Sequence, residues 1–337
     1  VRHKTVFVTQ RSERHQQNAL AAAPDSLDII MLHKPNDDLL KSQLAEAVYL
    51  ISERRGTIRA DLLDAAPLLQ LVLRLGSQTH DIDLQVAQER HIAVTYWPIG
   101  SVIRVAEHVI MQMLILIKRL RESQRIALAA CSGWGERQRT DENTFAYNWS
   151  GLEHVRGLWQ QTIGIMGFGE IGFELVRRLR GWDCHILYFK RSRLPKRVEH
   201  QLNLNYVDDV MLLQNSDIVV NLLPYSKQTD GYFNALRLQL MQPHSLLVSV
   251  GSGSVIDEAA LADAITQGYL KGAALDTFEY EPLQLDNPLL RLARAGFNVL
   301  LTPHIAGGSS MNLQELREQY TNIIHHIEDE PLLYQLV

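Results

Sequence analysis

Gly167, Gly169 and Gly172 carry the spacing G-x-G-x-x-G directly after the apolar run 162–166. That run has strand length, and Ile171, Leu175, Val176 and Leu179 then share one helical face. Strand, glycine turn and helix in this order suit the pyrophosphate of a dinucleotide. The first glycine permits the turn, and the second lets a phosphate approach the backbone. The third lets the helix pack closely on the sheet, with its N-terminus facing the phosphates. A glycine turn used only for packing is the plain alternative. Sites for NAD place an acidic residue at the end of the second strand, about 20 residues further on, to hold the ribose 2′-hydroxyl. Here that position is Lys190, followed by Arg191 and Arg193. Basic groups attract a 2′-phosphate that a carboxylate would repel, so the pattern favours NADP(H) over NAD(H). A solvated basic loop over 190–197 is the competing explanation.

The surrounding chain supplies elements to position these groups. Runs at 184–189, 217–222, 245–250, 273–276 and 298–302 read as buried strands, and Asp257 is placed to cap a helix containing 261–265. Upstream, 5–9, 28–32, 47–52, 70–75 and 92–96 alternate with helical or loop segments. The alternation predicts α/β architecture, with parallel sheets covered by helices on both faces. Residues 105–120 read as a long buried helix connecting two domains. The segment 132–159 is rich in Gly, Trp, Asn and charge and has no clean period, so it is read as a subunit contact. A helix over 311–328 returns to the first unit. The predicted division is 1–104 with 306–337, and 105–305.

Composition sets the outer limits. The 337 residues suffice for two domains, and a net charge of −5 argues against a general nucleic-acid binder. The two cysteines, Cys131 and Cys184, have no metal-ligand spacing and point to a reducing cytoplasm. The first ten residues lack the features of a signal peptide, and the longest apolar run, 109–117, is broken by Gln112. That run falls short of the ~20 residues of a membrane span. A cytoplasmic protein with no membrane partner is expected.

With these blocks in order, the chain resembles the D-isomer-specific 2-hydroxyacid dehydrogenases. The resemblance covers about 71–308 and rests on Val105-Ala106-Glu107-His108, Gly164 to Gly172, and Ser216-Asp217 with Pro224 and Thr229. Two further blocks complete it: Asp276-Thr277-Phe278 with Glu281-Pro282, and Thr302-Pro303-His304 with Gly307. It implies two doubly wound parallel-sheet domains, a Rossmann nucleotide-binding domain and a flavodoxin-like substrate domain, with a cleft between them. It further implies NAD(H) or NADP(H), hydride transfer between 2-hydroxy and 2-oxo acids, and a homodimer. His304 matches the family's acid/base histidine and Glu281 its carboxylate partner. Imidazolium can protonate a developing alkoxide near neutral pH, and a carboxylate keeps it protonated and oriented. Asp276 matches the aspartate near the nicotinamide carboxamide, with a strand-end cap as its plainer role. Glu170 and Ile171 match the residues whose amides meet the pyrophosphate, and Pro224 matches the proline on the adenosine side. Thr229, Val250, Gly251 and Gly307 fall in the same cofactor-binding blocks.

The main departure is Ser252, which occupies the position of the family's substrate-clamping arginine. A guanidinium grips a carboxylate bidentately, whereas a hydroxyl offers one neutral donor. Burying a carboxylate with no cation beside it costs several kcal/mol. The first-domain loop also departs, at Ser77, Gln78 and His80, as does the stretch around Tyr96 and Trp97. Three accounts follow. Arg104 or His80 supplies the missing charge; the substrate lacks a carboxylate and is held by Tyr96, Trp97 and Ser252; or the chain is a catalytically degenerate, cofactor-responsive binding protein.

Overall fold

The computed structural model describes residues 2–53, 56–129, 132–134, 136–145, 147–308 and 313–337. The chain divides into two compact units, Val1–Ile103 with Gly308–Val337, and Arg104–Gly307.

Unit 1 is a five-stranded parallel sheet of β1 (His3–Thr9), β2 (Leu27–His33), β3 (Tyr49–Glu53), β4 (Leu71–Leu75) and β5 (Ala93–Trp97). Its order, β2-β1-β3-β4-β5, is the flavodoxin-like winding. Strands β3 and β4 are buried at every position, as strands covered on both faces must be. The helices before β3 and after β4 are capped by Asn36 and Asp83, whose side chains accept from the amides of Leu39 and Val86. Two features were not anticipated. The single C-terminal helix expected over 311–328 is two, Leu313–Glu318 and Thr321–Ile327, and Met311 and Asn312 lie outside the described residues. The last residues then pair along the edge of β5, where Val94 N–H donates to Val337 O at 3.1 Å and Leu336 N–H to Val94 O at 2.8 Å.

Unit 2 has seven parallel strands: β6 (Thr162–Met166), β7 (His185–Phe189), β8 (Leu204–Tyr206), β9 (Ile218–Asn221), β10 (Leu246–Ser249), β11 (Gly272–Leu275) and β12 (Val299–Leu301). The order β12-β11-β10-β9-β6-β7-β8 is that of a doubly wound dinucleotide fold, reversing direction between β6 and β9. Strand β8 was missed because Leu-Asn-Tyr is too short to show a pattern. Asp257 does cap the helix Glu258–Thr266, accepting from Ala260 N–H at 2.9 Å.

The long helix expected over 105–120 runs instead from Gly100 to Ile117 and is followed by a separate helix, Leu120–Ala129. Gly100–Ile117 is long and apolar enough to cross a membrane by composition alone. However, Ala106, Val109, Met113, Leu116 and Ile117 belong to the buried core with Ile163 and Ile165 of β6. Leu120–Ala129 differs in having no buried residue. Beyond it, Phe145, Tyr147 and Trp159 are exposed, at 70, 92 and 64%, and the rings of Trp134 and Trp149 meet edge to face.

Candidate dinucleotide and acid/base site

Every candidate residue of unit 2 except Arg104 lies in the glycine turn, in the first turn of the helix after it, or in the loops that follow the C-terminal ends of its strands. The glycine turn follows β6, Lys190 and Arg191 follow β7, and Pro224 and Thr229 lie after β9. Val250, Gly251 and Ser252 follow β10, Asp276 and Glu281 follow β11, and His304 and Gly307 follow β12. In open parallel sheets this is the edge where ligands bind, at the point where strand order reverses.

The three glycines suit their expected tasks. Gly167 has φ +93°, and a Cβ there would lie 3.0 Å from the backbone of Leu222 and Leu223, across the reversal point. Around Gly169 nothing lies within 4 Å of a Cβ position, so the approach is open. Gly172 brings its helix against the Phe168 ring, 3.2 Å from a Cβ position. Gly169 caps the helix Glu170–Arg178 without a side chain. Helix geometry leaves the first amides, including those of Glu170 and Ile171, with no intrahelical acceptor. Gly251 passes so close to the loop after β9 that a Cβ would meet Leu223 O at 2.7 Å. A glycine turn at φ +93°, an open second glycine and a helix start with no side-chain cap together fit a pyrophosphate.

At the β7 end, Gly167 N–H donates to Phe189 O at 3.0 Å, which ties the glycine turn to the backbone just before Lys190. Arg193 is not available to a ligand, because it grips Glu199 with two contacts of 2.8 Å. Thr229 organises its own loop, donating to Pro224 O at 2.7 Å and accepting from Ser226 N–H at 2.8 Å. The Ser252 hydroxyl accepts from Tyr225 N–H at 2.9 Å, so it braces the loop after β9.

The two residues expected to act as an acid/base pair are in contact. His304 Nδ1 lies 2.7 Å from Glu281 Oε2, while Glu281 Oε1 accepts from Phe278 N–H at 3.0 Å. The carboxylate is thus fixed by backbone on one oxygen and by imidazole on the other. The His304 side chain is 61% exposed. Its backbone is left-handed, φ +53°, a conformation costly for a side chain with a Cβ. Asp276 explains how it persists. This carboxylate is fully buried and accepts from Thr302 Oγ1 at 2.6 Å, Ile305 N at 3.0 Å and Ala306 N at 2.8 Å. Both oxygens are engaged by the 302–306 turn, the capping role weighed as the plainer alternative. Arg104 reaches the same loop, its Nε donating to Gly307 O at 2.8 Å.

In unit 1, Ser77 and Gln78 follow β4, and Gly76 N–H donates to Trp97 O at 2.9 Å. Tyr96 and Trp97 pack on Tyr334 of the C-terminal tail, with ring centroids 5.3 and 5.9 Å away. The structure therefore gives both rings a packing task, against the tail of their own unit.

Comparison with known proteins bears on this geometry. Residues 126–306 match the model described as "D-isomer specific 2-hydroxyacid dehydrogenase, NAD binding domain". The chain belongs to the D-isomer-specific 2-hydroxyacid dehydrogenase family. It is 31% identical over 278 residues to a glyoxylate reductase of Thermococcus onnurineus, covering 82% of this chain and 78% of that one. It is 32% identical over 264 residues to a D-3-phosphoglycerate dehydrogenase of Archaeoglobus fulgidus, 78% of this chain but 46% of that one, so it spans about half that relative's length. Among solved structures, a Pyrococcus horikoshii protein superposes with a TM-score of 0.57 at 26% identity, covering 100% of this chain and 95% of the other. As a member of this family the chain is an oxidoreductase of the nicotinamide-dependent, CH–OH type.

Proposed function

We propose that this dehydrogenase uses NADP(H) to interconvert a 2-oxo acid, or a related carbonyl compound, with its 2-hydroxy counterpart, His304 acting as acid and base. The observation that carries the proposal is the His304–Glu281 contact of 2.7 Å, on the same sheet edge as the glycine turn. A bound nicotinamide cofactor supplies or accepts the hydride. The amides of Glu170 and Ile171 would hold its pyrophosphate, and Pro224, Val250 and Gly251 would lie beside it at the strand ends. In reduction, His304 delivers the proton from Nε2 to the developing alkoxide, while Glu281 holds Nδ1–H and stabilises the imidazolium. In oxidation the neutral imidazole takes that proton. Asp276 fixes the turn beneath.

The test is absorbance of NADPH during incubation with a panel of 2-oxo acids, aldehydes and ketones. No turnover on any of them sinks the enzymatic reading.

Lys190 and Arg191 favour NADPH, because Lys190 stands at the position after β7 where an NAD site carries its acidic residue. Fluorescence titration is expected to give tighter binding of NADPH than NADH. The double substitution Lys190→Ala, Arg191→Ala is expected to weaken NADPH about tenfold with little effect on NADH. Equal affinities in the wild type overturn the preference.

With serine at 252, we assign the substrate's carboxylate to Arg104, the cation bonded to the loop that carries His304. Arg104→Met is expected to raise KM for a 2-oxo acid about tenfold or more and leave the Kd for NADPH unchanged. An unchanged KM points instead to a substrate without a carboxylate.

We further read the uncovered helix Leu120–Ala129 and the exposed aromatics after it as the contact of a cytoplasmic homodimer. Light scattering should give twice the 38.3 kDa chain mass. A monomer at micromolar concentration removes that reading.

A further inference from the structure

The helix Gly100–Ile117 sends two polar side chains, one turn apart, to a single hydroxyl. His108 Nε2 lies 3.2 Å from Thr302 Oγ1, and Gln112 Nε2 lies 3.5 Å from it. Both residues are buried, His108 at 9% and Gln112 at 0% exposure. Thr302 has one proton to give, and the 2.6 Å contact to Asp276 Oδ1 takes it, because a carboxylate is the stronger acceptor. The hydroxyl oxygen can then only accept from His108, which fixes the proton of a neutral imidazole on Nε2. Burial pushes the His108 imidazole toward the neutral form, against the pull of Asp276. His108 Nε2 is also 3.6 Å from Asp276 Oδ1. The result is a directed chain of donors, from His108 through Thr302 to Asp276. It ends on the carboxylate that also holds the amides of Ile305 and Ala306 on the far side of His304.

The geometry points to His108 as a positioning residue for His304: its Nε2–H pins the Thr302 hydroxyl and so sets the 302–306 turn that presents the imidazole. Thr302 and Ile305–Ala306 flank His304, and all of them converge on Asp276. Loosening one end releases the left-handed residue between them toward ordinary backbone. The role deepens the acid/base reading of His304 and rests on it. It is distinct from packing because it requires a donor at one point in space, which a glutamine can supply and a leucine of similar volume cannot.

The experiment compares wild type, His108→Leu and His108→Gln by two readouts. The first is native-state amide exchange of Ile305 and Ala306, which needs no substrate. The second is steady-state kinetics with NADPH and glyoxylate, or whichever 2-oxo acid of the panel turns over. In His108→Leu the two amides are expected to exchange about tenfold faster. Its kcat is expected to fall about tenfold to a hundredfold, with KM within about twofold of wild type. His108→Gln is expected to recover most of both losses. Wild-type exchange and kcat in His108→Leu overturn the assignment, and so does a glutamine variant as impaired as the leucine one. If His304→Ala keeps wild-type turnover, the acid/base reading fails by itself. The exchange comparison then still decides whether His108 holds the turn.

Discussion

Replacing His304 by alanine is expected to lower kcat by about 10²–10⁴-fold, the range usual for a positioned general acid or base, while the Kd for NADPH stays within about twofold. The reason is local. The imidazole contributes one proton position, Nε2, and its orientation comes from Glu281 at 2.7 Å and from the Asp276-held turn. None of these groups belongs to the glycine turn, so binding and chemistry are separable. Glu281→Gln should give an intermediate loss, because an amide can still accept from Nδ1–H but cannot stabilise the charged ring. Stopped-flow hydride transfer with deuterated cofactor would separate loss of chemistry from slow product release. A His304→Ala protein that binds NADPH normally and retains more than about a tenth of wild-type kcat would falsify the acid/base assignment.

The second large effect concerns stability, and it lies in unit 1. Glu53 ends β3 with 1% of its surface exposed. Thr9 Oγ1 donates to it at 2.7 Å, Arg11 Nε at 2.7 Å, and His15 Nε2 lies 3.1 Å away. Burial alone would push this carboxyl up. His15, Arg11 and Thr9 outweigh it and hold the group at about 2, against an ordinary value of 4.5. A folded-state value below the unfolded one favours the folded state above the unfolded value. That contribution is lost as pH falls through 4.5 toward 2. It amounts to about 3 kcal/mol at neutral pH and about half of that at pH 3. Glu53→Gln also leaves Arg11 and His15 beside a neutral amide. Because Arg11 and His15 are both partly exposed, the expected loss at pH 7 is about 2–3 kcal/mol, below that of a fully buried pair. Thermal unfolding should show the unit 1 transition lowered by roughly 5–10 °C at pH 7, with the gap to wild type shrinking by pH 3. A gap that stays constant with pH would mean that packing, and not charge, sets the effect.

Much of this was legible in the residues. Strand β6 coincides with its expected bounds, because Thr-Ile-Gly-Ile-Met is a buried strand closed by an unmistakable glycine turn. The His304–Glu281 pair was legible only through block order, since two residues 23 positions apart are brought together by β12 pairing beside β11. Other features could not be read. Asp276 as an anchor depends on which amides face it, and sequence does not record that. Thr302 looks like an ordinary residue before a proline until His108, 194 positions upstream, is found against it. The Ser252 hydroxyl turns to Tyr225 N–H, an orientation no pattern encodes. The tail's pairing with β5 escaped notice because its few residues carry no period of their own.

The discontinuity of unit 1 has a consequence for synthesis. Its sheet and first helix are made early, yet Tyr320 donates to Ala19 O at 2.7 Å, and the ring of His326 meets Tyr49 edge to face. Those partners emerge from the ribosome only after all of Arg104–Gly307 has been made. Unit 2 can therefore mature on the nascent chain while unit 1 waits, its apolar flank exposed, for Gly308–Val337. Ribosome stalling or premature termination near Gly308 should thus release a species with a closed nucleotide domain and an open, chaperone-dependent companion.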